Sequence, residues 1–151
     1  MKLIRWIIGR IILAVDFVTR PKPIVRDKKD QEFVDKKTTK LSLYQFNACP
    51  FCVKVRRQFR KYSLNIEIRD AKNNALFKRE LIREGGKHQV PCLRIEDTNL
   101  SVRWLYESDN ICSYLKEEFK LWKTSMYNQL YSKHSSWLES TNYMHIIFRF
   151  A

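Results

Sequence analysis

The sequence predicts an α/β domain: a four-stranded mixed sheet, built βαβ and then ββα, flanked by helices and preceded by an N-terminal amphipathic helix. Three observations carry the prediction. Residues 41–46 (LSLYQF) and 64–70 (LNIEIRD) alternate between apolar and polar side chains, as half-buried strands do. Between them, residues 50–62 repeat Val55, Phe59 and Tyr62 on one helical face. After a second helical stretch, two short strand-like runs follow with no helix between them. A βαβ crossover imposes a parallel pair, and a hairpin extends the sheet antiparallel.

Each element has its own signals. Pro50 suits the first turn of a helix, where its missing N–H is not needed. Residues 74–84 form a second helix, stopped by Gly85-Gly86. Residues 91–95 (PCLRI) and 101–105 (SVRWL) read as a hairpin across 96–100. Ser108 caps a last helix, DNICSYLKEEF, with Ile111, Tyr114 and Leu115 apolar and Phe119 at its end.

Ahead of this domain, MKLIRWIIGRIILAVDFV is strongly apolar yet interrupted by Arg5, Arg10 and Asp16. A spanning helix wants about 20 mostly apolar residues, which this run does not supply. At 100° per residue, Lys2, Arg5, Gly9, Asp16 and Arg20 share one arc, and Leu3, Ile4, Ile7, Ile8, Ile11, Ala14, Val15 and Val18 cover the other side. Residues 1–19 therefore read as an anchor helix lying in a membrane interface, with Trp6 and Phe17 at the headgroup boundary. A short tilted span, or docking on its own domain or a second copy, are the rival readings. Arg10 breaks the apolar run and no small-x-small cleavage site follows, so the segment does not read as a secretion signal. Residues 20–40, with Pro21, Pro23 and many charges, read as a basic linker holding a short polar helix around 31–36.

The formal charge is +13, made of +6 over residues 1–40, +4 over 41–119 and +3 over 120–151. A spread excess, densest at the N-terminus, argues against a nucleic-acid stripe and for an anionic membrane surface. Four cysteines are few for a disulfide scaffold, which points to a reducing compartment.

Two of those cysteines stand in Cys49-Pro50-Phe51-Cys52, at a strand-to-helix junction. Cys49 falls at the helix N-terminus, where the thiolate is favoured, and Lys54, Arg56 and Arg57 add positive potential. The thiolate is the attacking species in thiol–disulfide exchange. Cys52, one turn later, is placed to resolve a mixed disulfide formed at Cys49. Zinc would need four ligands, and Cys92, Cys112 and the three histidines offer no second close pair. No metal is expected.

Residues 41–119 resemble a glutaredoxin, a member of the thioredoxin-fold superfamily. The resemblance rests on Cys49-Pro50-Phe51-Cys52 after the first strand, Val90-Pro91 before the third, and Glu107-Ser108-Asp109 opening the last helix. It lies nearest the membrane-anchored bacterial glutaredoxin-like proteins. It implies a catalytic Cys49, Cys52 and Pro91, with Pro91 cis and facing the sulfurs. It also implies glutathione as reductant, held by Phe51, Val90, Pro91, Ser108 and Asp109. Val90 would pair its main chain with the cysteinyl part. Ser108 and Asp109 would hold the γ-glutamyl end, a role that suits a helix N-terminus.

Two departures stand out. Phe51 replaces the tyrosine common in the family, so a hydroxyl is lost. Gln45, Phe46, Asn47 and Ala48, just before Cys49, supply no basic residue, and Lys87 or Arg83, with His88 on the same rim, are the candidates to meet the glycine carboxylate.

The expected function is glutathione-linked reduction of protein disulfides or glutathionylated thiols, at the cytoplasmic face of a membrane, a bacterial inner membrane by resemblance. The expected partners are that protein substrate, glutathione and, through residues 1–19, the membrane surface, with no nucleic acid. The alternatives are iron–sulfur cluster carriage by a dimer through Cys49 and two glutathiones, against which Pro50 and Cys52 speak, and a redox-inert adaptor. Residues 120–151, rich in aromatics such as Trp122, Tyr131 and Trp137, form a tail of no assigned role.

Overall fold

The computed structural model describes residues 2–97 and 101–120. The chain divides into Met1–Leu115 and Lys116–Ala151, and the described part of the second unit is the end of the last helix. The aromatic-rich tail expected over 120–151 lies, but for Lys120, outside the described residues, as does the middle of the expected hairpin turn.

The elements are α1 (Lys2–Val18), α2 (Lys28–Thr38), β1 (Leu41–Gln45), α3 (Pro50–Lys61), β2 (Glu67–Asp70), α4 (Ala75–Arg83), β3 (Cys92–Glu96), β4 (Val102–Tyr106) and α5 (Ser108–Lys120). The four strands form one mixed sheet in the order β2-β1-β3-β4. β1 pairs parallel with β2, through Leu43↔Ile68. It pairs antiparallel with β3, through Leu43↔Leu93 and Tyr44↔Cys92. β3 pairs antiparallel with β4, through Leu93↔Leu105 and Cys92↔Tyr106. This is the mixed α/β sheet that the order of strand and helix signals predicts.

Register sorts the side chains onto two faces, since neighbours along a strand point opposite ways. Tyr44 and Cys92 fall on one face and join Ala71 and Leu81 in a core cluster, with Phe77, Trp104 and Tyr106 packed against it. Tyr44 meets Phe77 edge-on at 6.4 Å and Trp104 at 5.3 Å. α4 covers this face, and Arg69 of β2 fastens it by donating to Glu80 Oε1 at 2.9 Å and to Tyr44 Oη at 2.6 Å. Asn74 starts α4 by accepting from the Leu76 and Phe77 N–H groups, which supplies two of the four orphan donors of the first turn.

The other face carries Leu41, Leu43, Leu93 and Ile95, all buried. Gln45 lies on it too and accepts from Arg56, which puts α3 over this face. Arg103 of β4 stands 5.6 Å from the Tyr114 ring, so the start of α5 lies there as well.

β2 is shorter than the alternating run suggests. Leu64 and Ile66 are buried but lie before the ladder; Leu64 bonds back to the Phe59 carbonyl at 2.9 Å. α5 begins at Ser108 itself, with Glu107 before it in the left-handed region (φ 66°) and its carbonyl accepting from the Ile111 N–H.

Residues 20–40 are not the free tether that their charge suggests. The Ile24 N–H donates to the Lys61 carbonyl at 3.0 Å, Ser63 Oγ donates to the Ile24 carbonyl at 2.6 Å, and Arg26 donates to the Tyr62 carbonyl. The helix in this stretch runs longer than 31–36, because Val34 and Thr38 are buried and Gln31 reaches the Ser63 carbonyl at 2.9 Å.

α1 is also docked, and by its polar arc. Gly9 and Asp16 are buried and Ile12 and Leu13 half-buried, which is one helical face at i, i+3, i+4 and i+7. Asp16 accepts from Arg60 at 2.8 Å and from Arg57 at 3.3 Å. Burial works to raise its pKa, but the hydrogen bonds and charges of Arg60 and then Arg57 outweigh it, and the carboxyl titrates below its ordinary value. The apolar face points away from the domain. No helix among the described residues is long and apolar enough to cross a membrane.

One position tests the packing between α4 and β4. A Cβ on Gly85 would stand 2.6 Å from the Leu81 carbonyl oxygen and from Tyr106 Oη, and 3.0 Å from the Trp104 ring. Gly85→Ala should therefore destabilise by about 1–3 kcal/mol, the usual cost of overpacking. A urea midpoint unchanged from wild type would contradict the packing described.

Candidate functional site

The site is built where β1 hands over to α3. After Gln45 the chain leaves the ladder, and the Cys49 N–H returns to the Phe46 carbonyl at 3.2 Å, closing a tight turn. Cys49 then takes an extended conformation (φ −81°, ψ 124°) as the residue capping α3, and Pro50 opens the helix. The Val53 N–H donates to the Cys49 carbonyl at 2.9 Å.

The turn is pinned from inside by Arg56. Its guanidinium donates to Gln45 Oε1 and, at 2.8 Å, to the Asn47 carbonyl, and the residue is 8% exposed. Burial lowers the Arg56 pKa, while Cys52, Asp16 and Cys49 raise it. A cation buried on this scale is held by hydrogen bonds to fixed acceptors. Sequence reading treated Arg56 as one of three charges near the thiols and missed that it shapes the loop. The signal was its spacing, two turns into α3 and on the Cys52 side.

The two thiols are unequal. Both are free, Cys49 half-buried and Cys52 fully buried. Burial pushes the Cys52 thiol up to about 12. A main-chain hydrogen bond from Phe46 and the Arg56 charge work against that rise; the Cys49 sulfur, to which Cys52 is hydrogen-bonded, adds to it. Cys52 is thus a protonated donor beside an accessible Cys49, an arrangement suited to one attacking sulfur and one reserve sulfur.

The other predicted residues are placed as follows. The Val90–Pro91 peptide is cis. Val90 lies against the Tyr44 cluster, outside the ladder that starts at Cys92. Phe51 is 60% exposed, its ring open to a ligand. Ser108 is buried at the start of α5; Asp109 is exposed and ion-paired with Lys54 of α3. The 107–109 turn is tied to the loop before Pro91, since Gln89 Nε2 donates to Glu107 Oε1 at 2.6 Å. Gln89 is a second residue that sequence reading missed, and nothing in its sequence context marks it out.

The cations expected around Cys49 are not all free to serve it. Arg57 is committed to Asp16 and Thr19, and Lys54 to Asp109. Of the candidates on the rim, His88 reaches the active loop, its ring 5.8 Å from that of Phe46. Lys87 lies against the Tyr106 ring, and Arg83 pairs with Glu84. Cys92 is a core residue, its thiol pushed up to about 12 by burial. Cys112 is half-buried, with its pKa raised by burial and partly restored by Lys54.

The buried thiols make a pH prediction. Cys52 and Cys92 titrate near 12 in the fold against an ordinary value of 9.0. The fold favours their protonated forms, so that contribution is complete below pH 9 and is lost as pH rises toward 12. Above pH 9, stability to urea should fall by at most about 2.7 kcal/mol per pH unit from these two groups. The fall should be shallower in a Cys52→Ser/Cys92→Ala variant; equal slopes would remove the two thiols as its source.

No curated protein matches the chain. Residues 41–99, which hold both thiols of the Cys-Pro-Phe-Cys turn and the cis proline, match the family model described as Glutaredoxin, and the four-stranded mixed sheet described above is that of a thioredoxin-like fold.

Proposed function

We propose that the protein is a glutathione-linked thiol–disulfide oxidoreductase that reduces protein disulfides or glutathionylated thiols at a membrane surface facing the cytoplasm. The observation that carries the redox reading is the inequality of the two sulfurs, Cys49 accessible at a helix N-terminus and Cys52 buried, protonated and hydrogen-bonded to it. The glutaredoxin match over 41–99 supports the same chemistry.

In the first step the Cys49 thiolate attacks the glutathionyl sulfur of a mixed disulfide. The Cys49–glutathione disulfide forms as the substrate's S–S bond breaks, and the substrate thiolate leaves and takes a proton from solvent. In the monothiol route, the thiolate of a second glutathione attacks the glutathionyl sulfur, giving oxidised glutathione and restoring Cys49. In the dithiol route, Cys52 loses its proton and attacks the Cys49 sulfur, releasing glutathione and leaving a Cys49–Cys52 disulfide. Two further glutathiones then reduce that disulfide. Once Cys49 is in a disulfide it no longer carries charge, so one of the causes that raise the Cys52 pKa is gone before Cys52 must ionise.

Glutathione enters as a substrate, and the residues present fit it in part. The Val90 main chain lies outside the ladder, Phe51 offers an exposed ring, and Ser108 and Asp109 stand at a helix N-terminus suited to a carboxylate and an amine. Asp109 must exchange its Lys54 partner for the glutathione amine. That pair is exposed, so the exchange costs little.

Intact mass of the Cys52→Ser variant after exposure to oxidised glutathione tests the reading, with Cys49→Ser alongside. The expected result is one glutathionyl adduct, absent from the Cys49→Ser protein. A folded Cys52→Ser protein that takes no adduct would overturn the glutathione link.

A further inference from the structure

α1 is an amphipathic helix docked the wrong way round for a soluble protein. Its polar arc meets the domain, and Leu3, Ile4, Ile11 and Val15 on the far side are 55–69% exposed. The contacts that hold it come in the same order along both helices. Gly9 lies over Ala48, where an added Cβ would come 3.1 Å from the Ala48 Cβ. Asp16 meets Arg57 and Arg60, and beyond the helix Ile24 meets Lys61. α1 therefore runs alongside α3 in the same direction. Since Gly9 stands at the residue before Cys49, residues 2–8 overhang the active-site end of α3 by about 10 Å, at 1.5 Å per residue.

The charges say what covers the outward face. The only carboxylate in residues 1–26 is Asp16, and it is turned inward and neutralised. The exposed charges described on α1 and just after it are cationic: Arg10, 5.8 Å from the Trp6 ring centre, and Arg20, 4.4 Å from that of Phe17. Both rings are exposed. An apolar face edged by arginines and aromatic rings fits an anionic lipid surface; a second copy would bring like charges together.

From this we infer that α1 inserts its outward face into an anionic lipid surface while its inward face stays clamped to α3, so that Cys49 is held beside the bilayer and acts on disulfides carried at that surface. This rests on the redox reading above for the chemistry and adds the location of the substrate. The clamp matters because a loose tether would only concentrate the enzyme at the membrane, whereas a docked helix also aims its reactive sulfur.

The test uses the full chain with vesicles of phosphatidylcholine, alone or mixed with phosphatidylglycerol, and one glutathionylated peptide, either free or carried on a lipid in those vesicles. The chain should sediment with the anionic vesicles and reduce the lipid-carried peptide at least about tenfold faster than the free one. Ile4→Glu/Ile11→Glu should lose sedimentation and that advantage while keeping the rate on free peptide. Asp16→Lys, which sets a third cation against Arg57 and Arg60, should still sediment and keep only the part of the advantage that concentration at the membrane supplies. An undiminished advantage in Asp16→Lys would overturn the clamp. A chain active on free peptide that stays in solution would overturn the lipid face. So would a dimer abolished by Ile4→Glu/Ile11→Glu with no vesicle binding, which would assign the face to a second copy. Sedimentation without reduction of either peptide would instead count against the redox reading and leave the lipid face standing.

Discussion

The structure around the two thiols depends on one buried cation. Arg56 reaches out of α3 to the Gln45 side chain at the end of β1 and to the Asn47 carbonyl in the turn. It thereby fixes the strand, the loop and the helix relative to one another. The turn must leave the ladder, expose one sulfur and bury another within seven residues, and Arg56 ties its Asn47 carbonyl to the end of β1 as it does so. An arginine suits this place because its planar fork meets two acceptors at once and stays charged. Its charge also acts on both cysteines, so the group that shapes the loop also sets part of its electrostatics.

Much of the fold was legible because its signals are local. Alternation over 41–46 marks β1, Pro50 marks the start of α3, and Gly85-Gly86 marks the end of α4. Where the outcome turned on partners far along the chain, the sequence was silent. Asp16 looks like a solvent-facing residue of the polar arc until Arg57 and Arg60, more than 40 residues away, are brought beside it. The stretch 20–40 looks like a tether because its apolar residues are few; its attachment runs through main-chain groups and through Gln31 and Arg26, which periodicity does not weigh. The site shows the same division. The order Cys-Pro-Phe-Cys, Val-Pro, Ser-Asp is visible in sequence, and the links that assemble it, Gln89 to Glu107 and Lys54 to Asp109, are not.

The docking of α1 and the position of the active turn are linked through α3. One edge of α3 carries Arg57 and Arg60 toward the leader, while Arg56, a neighbour in sequence, turns inward under the thiols. Three basic residues in five thus serve two separate structures, and the apparent positive patch in the sequence is largely spent within the fold. Among the described residues near the leader, the charge that remains for partners is correspondingly more peripheral, at Arg10, at Arg20 and at Lys22 between the two linker prolines.

The same accounting bears on how a substrate is received. With Arg57 held by Asp16 and Lys54 by Asp109, two of the three cations near the N-terminus of α3 already have carboxylate partners. Of these two pairs, Lys54–Asp109 is the exposed one, with side chains 46% and 81% accessible, and the Asp16 pairs are shielded. Exposed pairs exchange at little cost, whereas breaking a shielded pair leaves a charge without compensation. On the proposed function, a zwitterionic ligand at the start of α5 would offer its ammonium to Asp109 and its carboxylate to the α5 N–H groups, releasing Lys54 from its pair. The Asp16 clamp holds through that exchange. On that reading ligand binding changes the partner of Lys54 without disturbing the helix that sets the height of the thiols above the lipid.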